Sequence, residues 1–233
     1  MIHIFYRHYS INGREDWRPE WFDYEKCFCN LLNTICNKKN VNITVIYDGN
    51  KDDNFIFNYD VNVVLIDVKS DYESFKKTIN IVKESDIDDN DLIYLLENDY
   101  LHTPNWDKKV LDFFEIENNS YLSLYDHNDK YFEGYSDLRS RIIVTKSSHF
   151  RTTPSTCGSF ITTKKTLLND YTAHHKSPEI TKVFCNLPID HAKFLLLKQL
   201  KNRDVYSPIP GISTHCLNEL MSPTIKWNKI INE

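Results

Sequence analysis

Glycine is scarce in this sequence, and several features that mark common protein classes are missing. Only five of the 233 residues are glycine, and none forms a glycine-rich phosphate loop near the N-terminus. No apolar run approaches the length that crosses a membrane, and the opening Met-Ile-His-Ile-Phe-Tyr alternates like a strand rather than a signal peptide. We therefore expect a soluble, cytosolic protein without a membrane span.

The arrangement of the cysteines and of the positive charges is not typical of a disulfide-bonded or zinc-binding protein, or of a nucleic-acid-binding protein. The six cysteines follow no disulfide-framework spacing, and the close pair Cys27 and Cys29 has no second pair to complete a zinc site. The net charge of −5 argues against a nucleic-acid partner held by a broad electrostatic field. The chain, 41% hydrophobic, can build one sizeable core. We expect reduced thiols and a single domain over residues 1–233.

Strand and helix patterns alternate through the first half of the chain. Strands are predicted over residues 2–6, 41–47, 61–68 and 92–96. Helices are predicted after Pro19, with apolar positions to Ile35, and over residues 72–82. This alternation with short connections predicts an α/β fold with a mainly parallel, twisted central sheet and helices on both faces.

The pattern of the second half is more mixed. A helix is predicted at 106–114, and strands at 121–125, 141–145 and 158–163 follow without intervening helices. Further helices are predicted around residues 167–171 and 190–200. The tail from Tyr206 is rich in Pro and Ser and shows no clear period. We therefore expect strands of mixed direction in this half.

Residues 91–101 hold the most informative pattern, an apolar run of strand length that ends in two carboxylates one residue apart. Side chains alternate along a strand, so Glu97 and Asp99 should point the same way and Asn98 the opposite way. Two oxygen donors at a strand end suit Mg²⁺ or Mn²⁺, which keep open positions for substrate phosphates. The segment predicts a divalent-cation site. The alternative is a pair of solvated acids that end a buried strand.

Three segments and their order resemble the GT-A glycosyltransferases. They are residues 45–49, which end in Asp48-Gly49, residues 95–99, and Ile189-Asp190-His191 at a helix start. Glu97-Asn98-Asp99 corresponds to the DXD motif of that family, with Glu in place of the first Asp. The segment 209–215, which ends in His215, resembles the C-terminal histidine that many such enzymes add to the metal shell. The resemblance extends from Ile2 to His215.

The resemblance implies a GT-A fold with a nucleotide-binding half at about residues 1–101 and an acceptor-side half at about residues 102–233. It implies transfer of a hexosyl-type sugar from a nucleoside-diphosphate sugar, UDP-linked, to a hydroxyl of a glycan or another acceptor. Asp99 and His215 would hold Mn²⁺ or Mg²⁺, with Glu97 acting directly or through water, and the cation would stabilise the departing diphosphate. We expect the fold to tolerate loss of Asp99, because a strand-end carboxylate faces solvent.

The resemblance also implies contacts to the nucleotide from strand ends. Asp48 would accept hydrogen bonds from the base or ribose, a role that is compatible with forming a turn before Gly49. Tyr6 and Arg7 lie at the carboxyl end of the first predicted strand, where an aromatic face can stack on a base; Arg7 could instead pair with a carboxylate. Asp67, at the third strand end, and Asn98, inside the motif, complete the predicted nucleotide contacts.

The residues expected to act in catalysis and to neutralise phosphate charge lie in the second half of the chain. We expect inversion at the anomeric carbon rather than retention, and an inverting transfer needs a base for the acceptor hydroxyl. The resemblance implies Asp190, an acid at a helix start in this half, as the first choice, with His191 in reserve. The alternative role for Asp190, which follows Pro188, is a helix N-cap. Arg151 lies in a polar, basic segment predicted to be a loop, where it could neutralise phosphate charge or simply be solvated.

Two other functions are compatible with the sequence. A nucleotidyltransferase uses a similar sheet and metal, although the missing glycine-rich loop disfavours it. A catalytically silent carbohydrate- or nucleotide-binding protein would keep the fold and bind UDP without turning over any UDP-sugar.

Overall fold

The computed structural model describes residues 1–9, 17–49, 54–131, 135, 137–177 and 189–231, and these form a mixed sheet with helices on both faces. The strands are β1 (Ile2–Tyr9), β2 (Val41–Asp48), β3 (Asn62–Ile66), β4 (Leu92–Glu97), β5 (Tyr100–His102), β6 (Tyr121–Leu122), β7 (Ile142–Val144), β8 (His149–Thr152), β9 (Phe160–Thr163), β10 (Val205–Ile209) and β11 (Ser213–His215). The helices are α1 (Tyr24–Thr34), α2 (Asp71–Glu84), α3 (Trp106–Phe114), α4 (Lys164–Asn169), α5 (Tyr171–His175), α6 (Ile189–Lys201) and α7 (Trp227–Ile230). Short 3-10 helices lie at Lys38–Asn40, Phe55–Asn58 and Asn128–Tyr131.

Nine of the strands form one sheet in the order β3-β2-β1-β4-β9-β6-β10-β8-β7. The first four run parallel, so their carboxyl ends meet at one edge. Beyond β4 the directions are mixed, because β9 is antiparallel to both β4 and β6 while β10 is parallel to β6. The predicted contrast between a parallel first half and a mixed second half is confirmed.

Alternating apolar side chains on the central strands fill two cores, one on each face of the sheet. On β4, Tyr94 and Leu96 pack on the side of α1 and α3, whereas Ile93 and Leu95 pack on the side of α2, α4 and α6. Both faces are covered, which is why β4 reads as a continuous apolar run in the sequence.

Several predicted boundaries were wrong. The helix predicted after Pro19 begins at Tyr24, because Asp23 caps it by accepting the Lys26 backbone N–H at 2.8 Å. β1 continues past Tyr6 to Tyr9, and the helix predicted around 167–171 is two helices that meet at Asp170. The predicted loop around Arg151 contains β8.

The tail that showed no period forms β10, β11 and α7. β11 pairs antiparallel with β5 in a separate two-stranded sheet, in which His215 lies opposite Tyr100. The described cysteines are free thiols, and Cys185 lies outside the described residues. Among the described helices, none is both long and apolar enough to cross a membrane.

Candidate metal and nucleotide site

A cavity of about 490 Å³ lies at the carboxyl ends of the parallel strands. Its lining includes residues from β1, β2 and the turn after β4, from the start of α2, and from the segment that follows β11. The polar residues among them include Arg18, Asp48, Glu97, Asn98, Asp99 and His215. The cavity occupies the edge at which open α/β sheets bind ligands.

Glu97, Asp99 and His215 converge in this cavity. One ligand atom from each residue lies within 4.8 Å of the other two. β4 ends at Glu97, the chain turns at Asn98 and Asp99, and β5 starts at Tyr100. The two carboxylates therefore converge through a turn and not, as predicted, through alternation along one strand.

Pairing between β5 and β11 delivers the histidine. The Cys216 backbone N–H donates to the Asp99 carbonyl at 2.9 Å, and the His215 ring stacks parallel on Tyr100 with ring centroids 5.0 Å apart. These contacts hold His215 beside Asp99, although the two residues are 116 positions apart in the chain. The position of His215 beside Asp99 thus depends on a three-residue strand that the sequence pattern did not reveal.

Asp99 is buried, with only 6% of its surface exposed, so the expectation of a solvent-facing carboxylate was wrong. Its Oδ2 accepts from Arg18 Nη2 at 2.6 Å and lies 2.8 Å from His215 Nε2. Burial alone would raise the pKa of Asp99, but His215 and Arg18 lower it to about 2. Its Oδ1 is buried without a hydrogen-bond partner. A bound cation would satisfy this unpaired oxygen.

Burial is the dominant effect on the pKa of Glu97, whereas at Asp99 the charged partners outweigh it. Burial raises the pKa of Glu97 to about 7, although Arg7 donates to Oε1 at 2.6 Å and opposes the shift. Gly158, at φ +83°, lies against this carboxylate, and a Cβ there would overlap it. For His215, burial lowers the pKa but the contact with Asp99 outweighs it, so the net shift is upward.

Arg7 lies opposite Glu97 in the β1–β4 register and lines the cavity. Besides Glu97, it donates to the Asp71 carboxylate at 2.7 Å, at the start of α2. Burial lowers the pKa of Arg7, but Glu97 and Asp71 outweigh it and raise the pKa above its ordinary value, so the side chain stays charged. Arg7 therefore pairs with carboxylates, as the alternative prediction had it. It also contributes positive charge to the cavity wall.

The other predicted nucleotide contacts fall in different places. Asp48 lines the cavity and accepts the backbone N–H groups of Val68 and Lys69 at 3.1 and 2.8 Å, which fixes the loop before α2. Asp67 has a side chain that is 81% exposed, pairs with Lys69 and is not part of the cavity lining.

The prediction that Tyr6 stacks on a base was wrong. Only 1% of Tyr6 is exposed, because β1 continues beyond it and its ring packs on Phe28 with centroids 5.0 Å apart. Its hydroxyl donates to the Asn98 carbonyl at 3.1 Å. Tyr6 therefore stabilises the turn that carries Glu97 and Asp99.

Arg151 lies on β8, outside the described cavity lining, and its Nη2 donates to Asp126 at 2.7 Å. The predicted position beside a phosphate was wrong, because the polar segment forms a strand and Asp126 takes the guanidinium. Arg18 instead supplies the second guanidinium in the cavity. Sequence reasoning missed Arg18, because nothing in its local pattern marks a partner 81 residues away.

Asp190 lies in a second cavity of about 220 Å³ that shares Arg7 and Glu97 with the first. Its carboxylate accepts from Thr156 Oγ1 and Lys193 Nζ, both at 2.8 Å, and from the Gly158 N–H. Burial alone would raise the pKa of Asp190, but Lys193 and these hydrogen bonds lower it to about 2. A carboxylate with both oxygens engaged and a low pKa is a weak base.

The alternative role of Asp190 as a helix N-cap was wrong, because α6 begins at Ile189. Pro188 lies outside the described residues. His191 is half-buried, burial lowers its pKa, and it is absent from the described lining of both cavities. The role of either residue as the catalytic base stays a prediction.

No protein-family model matches the chain, and no curated protein matches its sequence. Solved structures do match. Residues 1–349 of S. aureus TarS in complex with UDP are 13% identical, with a TM-score of 0.50, over 88% of this chain and 59% of that chain. A longer S. aureus TarS structure is 11% identical, with a TM-score of 0.50, over 88% of this chain and 36% of that chain. The galactosyltransferase LgtC in complex with donor and acceptor sugar analogs is 13% identical, with a TM-score of 0.48, over 84% of this chain and 69% of that chain.

The chain thus spans less than two thirds of the length of either TarS structure. At these identities the likeness bears on the fold and not on the activity. Together with the parallel β3-β2-β1-β4 order and helices on both faces, it confirms the predicted fold class. The chain has the α/β fold of the GT-A type.

Proposed function

We propose that this protein is a metal-dependent glycosyltransferase that moves a hexosyl-type sugar from a UDP-linked donor to a hydroxyl acceptor. The observation that carries the proposal is the convergence of Glu97, Asp99 and His215 within 4.8 Å, inside a cavity at the carboxyl edge of the parallel strands. At that edge, a candidate cation site lies inside a cavity that can accept a nucleotide. Transfer from a nucleoside-diphosphate sugar requires both.

The donor set fits a small divalent cation. Two carboxylates and an imidazole suit Mn²⁺ or Mg²⁺, and the nitrogen ligand favours Mn²⁺. The buried, unpaired Oδ1 of Asp99 is an available ligand atom. When bound, the cation would hold the diphosphate and stabilise the negative charge that develops as the sugar leaves.

The surrounding residues prepare the cavity for an anionic ligand. With a pKa of about 2, Asp99 is ionised at neutral pH. Arg18 and Arg7 hold Asp99 and Glu97 and place two guanidinium groups on the cavity wall. Asp48 pins the loop that leads to α2, whose N-terminal residues also line the cavity. The net electrostatic effect of the paired acids and guanidiniums is a site that becomes attractive to a diphosphate once the metal is bound.

Support for the finer parts of the proposal is specific to each part. The TarS structure of the same fold is a complex with UDP, which supports UDP as the nucleotide. The second cavity, which shares Glu97 and Arg7 with the first, provides room for an acceptor. Inversion rather than retention at the anomeric carbon is carried over from the sequence reading, as is the assignment of Asp190 or His191 as base.

The test is turnover of UDP-sugars by the wild-type chain and by two matched aspartate variants. Asp99→Asn removes a charged ligand from the cation cluster, whereas Asp67→Asn neutralises an exposed carboxylate outside the cavity. We expect metal-dependent release of UDP from at least one UDP-sugar, a loss of about 10²-fold or more in Asp99→Asn, and no change in Asp67→Asn.

Two outcomes would contradict the proposal. Metal-dependent UDP binding without turnover of any UDP-sugar would identify a silent binding protein. Formation of a UDP-sugar and pyrophosphate from UTP and a sugar phosphate would identify a nucleotidyltransferase.

A further inference from the structure

Asn54, His8 and Asn98 form a chain of polar contacts that reaches the cavity beside Glu97 and Asp99. His8 Nε2 lies 3.0 Å from Asn54 Oδ1, and His8 Nδ1 lies 2.9 Å from Asn98 Nδ2. His8 and Asn98 line the cavity, whereas Asn54 is not part of the described lining. His8 is 3% exposed, and its ring stacks on Tyr47 with centroids 5.6 Å apart. The histidine ring therefore has a fixed orientation.

The direction of each hydrogen bond in this chain follows from one backbone contact. Asn54 Oδ1 also accepts the Ile56 backbone N–H at 3.1 Å, as the cap of the 3-10 helix Phe55–Asn58. Only an amide oxygen can accept that bond, so the atom that faces His8 is an acceptor. The proton of a neutral His8 must then lie on Nε2, which leaves the lone pair on Nδ1 to accept.

The same logic continues to Asn98. Because His8 Nδ1 accepts, Asn98 must present its NH₂ group to the histidine. Burial supports the neutral imidazole, since it lowers the pKa of His8 to about 4. No described residue donates to the remaining oxygen, Asn98 Oδ1, in a residue that is half-buried and lines the cavity. The oxygen of the Asn98 amide is thereby left as an acceptor, and His8 engages one of the two N–H donors of its NH₂ group.

We propose that Asn54 and His8 are positioning residues that orient the Asn98 amide so that its oxygen accepts a hydrogen bond from a ribose hydroxyl of the nucleoside diphosphate. This inference rests on the proposed function. Asn98 lies between two proposed cation ligands in sequence, so a diphosphate held by the cation would bring its own oxygens, the ribose and the transferred sugar near the amide. An amide oxygen repels phosphate oxygens and accepts from hydroxyls, which excludes the diphosphate; in UDP, which lacks the sugar, the only alcohol hydroxyls are those of the ribose.

The test compares UDP with its 2′-deoxy and 3′-deoxy analogues by calorimetry in the presence of Mn²⁺. In the wild-type chain, we expect one analogue to bind roughly 10-fold more weakly than UDP, the usual effect of losing one hydrogen bond and leaving its partner unpaired. Asn98→Leu keeps a similar volume without the amide oxygen, and should bind UDP and both analogues with equal affinity.

Asn54→Ala tests the positioning role, because Asn54 lies outside the cavity lining. Without Asn54 Oδ1, His8 is free to carry its proton on Nδ1, and the Asn98 amide loses its fixed direction. We expect the preference for UDP over the deoxy analogue to fall from roughly 10-fold to about 2-fold or less, while affinity for that analogue stays the same. Asn37→Ala is the matched control, since Asn37 caps the 3-10 helix Lys38–Asn40 through the Lys39 N–H but does not contact His8.

The possible failures are distinguishable. If UDP does not bind with Mn²⁺ at all, the proposed function is wrong. If UDP binds but the wild-type chain shows no preference for either ribose hydroxyl, or if Asn54→Ala keeps the full preference, the inference is overturned and the function stands. Weakened binding of Mn²⁺ alone in Asn98→Leu would also overturn it, because the amide would then be a metal ligand.

Discussion

Buried charge is organised differently in the parallel and mixed parts of the sheet. In the mixed part, Asp170 is fully buried, and its Oδ2 accepts from Tyr121 and from Arg203 Nε at 2.8 and 2.9 Å. Its Oδ1 lies 3.0 Å from Lys201 Nζ. In the parallel part, Asp99 is almost as buried, yet one of its oxygens has no hydrogen-bond partner and the residue lines a cavity.

The comparison separates clusters that stabilise the fold from clusters that bind a ligand. A charged cluster in which every oxygen has a protein partner contributes to stability, whereas an unpaired ligand atom beside a cavity leaves a position for another molecule. Asp126 belongs to the first kind, because Arg151 and Tyr131 donate to its two oxygens at 2.7 and 2.6 Å. The contrast therefore explains why Arg151, a plausible phosphate ligand by sequence, has a structural role.

The largest effect expected from this contrast is on stability. Asp170→Asn removes the charge partner of Arg203, a residue that is only 7% exposed, so we expect a loss of roughly 3 to 5 kcal/mol in the free energy of unfolding. The folded fraction should bind UDP as the wild type does. Asp99→Asn should cost less, because one Asp99 oxygen is already unpaired and the Glu97 carboxylate is nearby. Denaturant unfolding measures both, and an equal or larger loss in Asp99→Asn would break the distinction.

Two glycines provide a second, smaller contrast. Gly158→Ala places a methyl group against the Glu97 carboxylate, at φ +83°, and Gly211→Ala places one 2.7 Å from Ser222 Oγ and 2.9 Å from Asp126 Cβ. Both should destabilise the fold by about 1 to 3 kcal/mol. Only Gly158→Ala should also weaken metal-dependent UDP binding in calorimetry, because it displaces Glu97, a proposed cation ligand. Equal UDP affinities in the two variants would remove Glu97 from the site.

Near neutral pH, the smallest expected effect is a pH dependence that comes from a buried histidine outside the cavity. Burial lowers the pKa of His102 to about 3, from an ordinary value near 6.5. As pH falls below about 6.5, the unfolded chain binds this proton and the folded chain does not, so stability present above that pH is lost towards pH 3.

His102 should account for about 1.4 kcal/mol per pH unit of the slope in this window. His102→Gln should remove that share, whatever its effect on stability at pH 7. Free energies of unfolding at pH 7, 6 and 5 give the slope for both chains. A slope that is unchanged in the variant would show that His102 is not held neutral by the fold.

The sequence predicted those helices and strands that are determined by the pattern of their own residues. The apolar run before Glu97 identified β4, and the periodicity at 106–114 gave α3 with the boundaries that the structure has. The convergence of Glu97 and Asp99 was predicted because the two residues are close in sequence, and the third member of the group, His215, came from a family resemblance. β10 and β11 were missed because they are five and three residues long and lie in a proline-containing tail.

The remaining site residues depend on contacts that no local pattern encodes. Arg7 and His8 appeared to start a loop, because charged and polar residues usually end a buried strand. They remain in β1 because Glu97 pairs with Arg7 and because Asn54 and Asn98 pair with His8. Arg18 and Arg151 also depend on distant partners. Arg18 lines the cavity because it pairs with Asp99, 81 residues away, whereas Arg151 has a structural role because it pairs with Asp126, 25 residues away.

The central claim is that Asp99, Glu97 and His215 hold a divalent cation together with the diphosphate of a nucleotide. The most direct measurement is pulsed electron paramagnetic resonance of Mn²⁺ bound to the protein with UDP, which detects nitrogen and phosphorus nuclei coordinated to the same ion. We predict couplings to both a histidine nitrogen and ³¹P in the wild-type chain, with the nitrogen coupling absent in His215→Gln. A Mn²⁺–UDP complex with no nitrogen coupling, or one that keeps it in His215→Gln, would contradict the account.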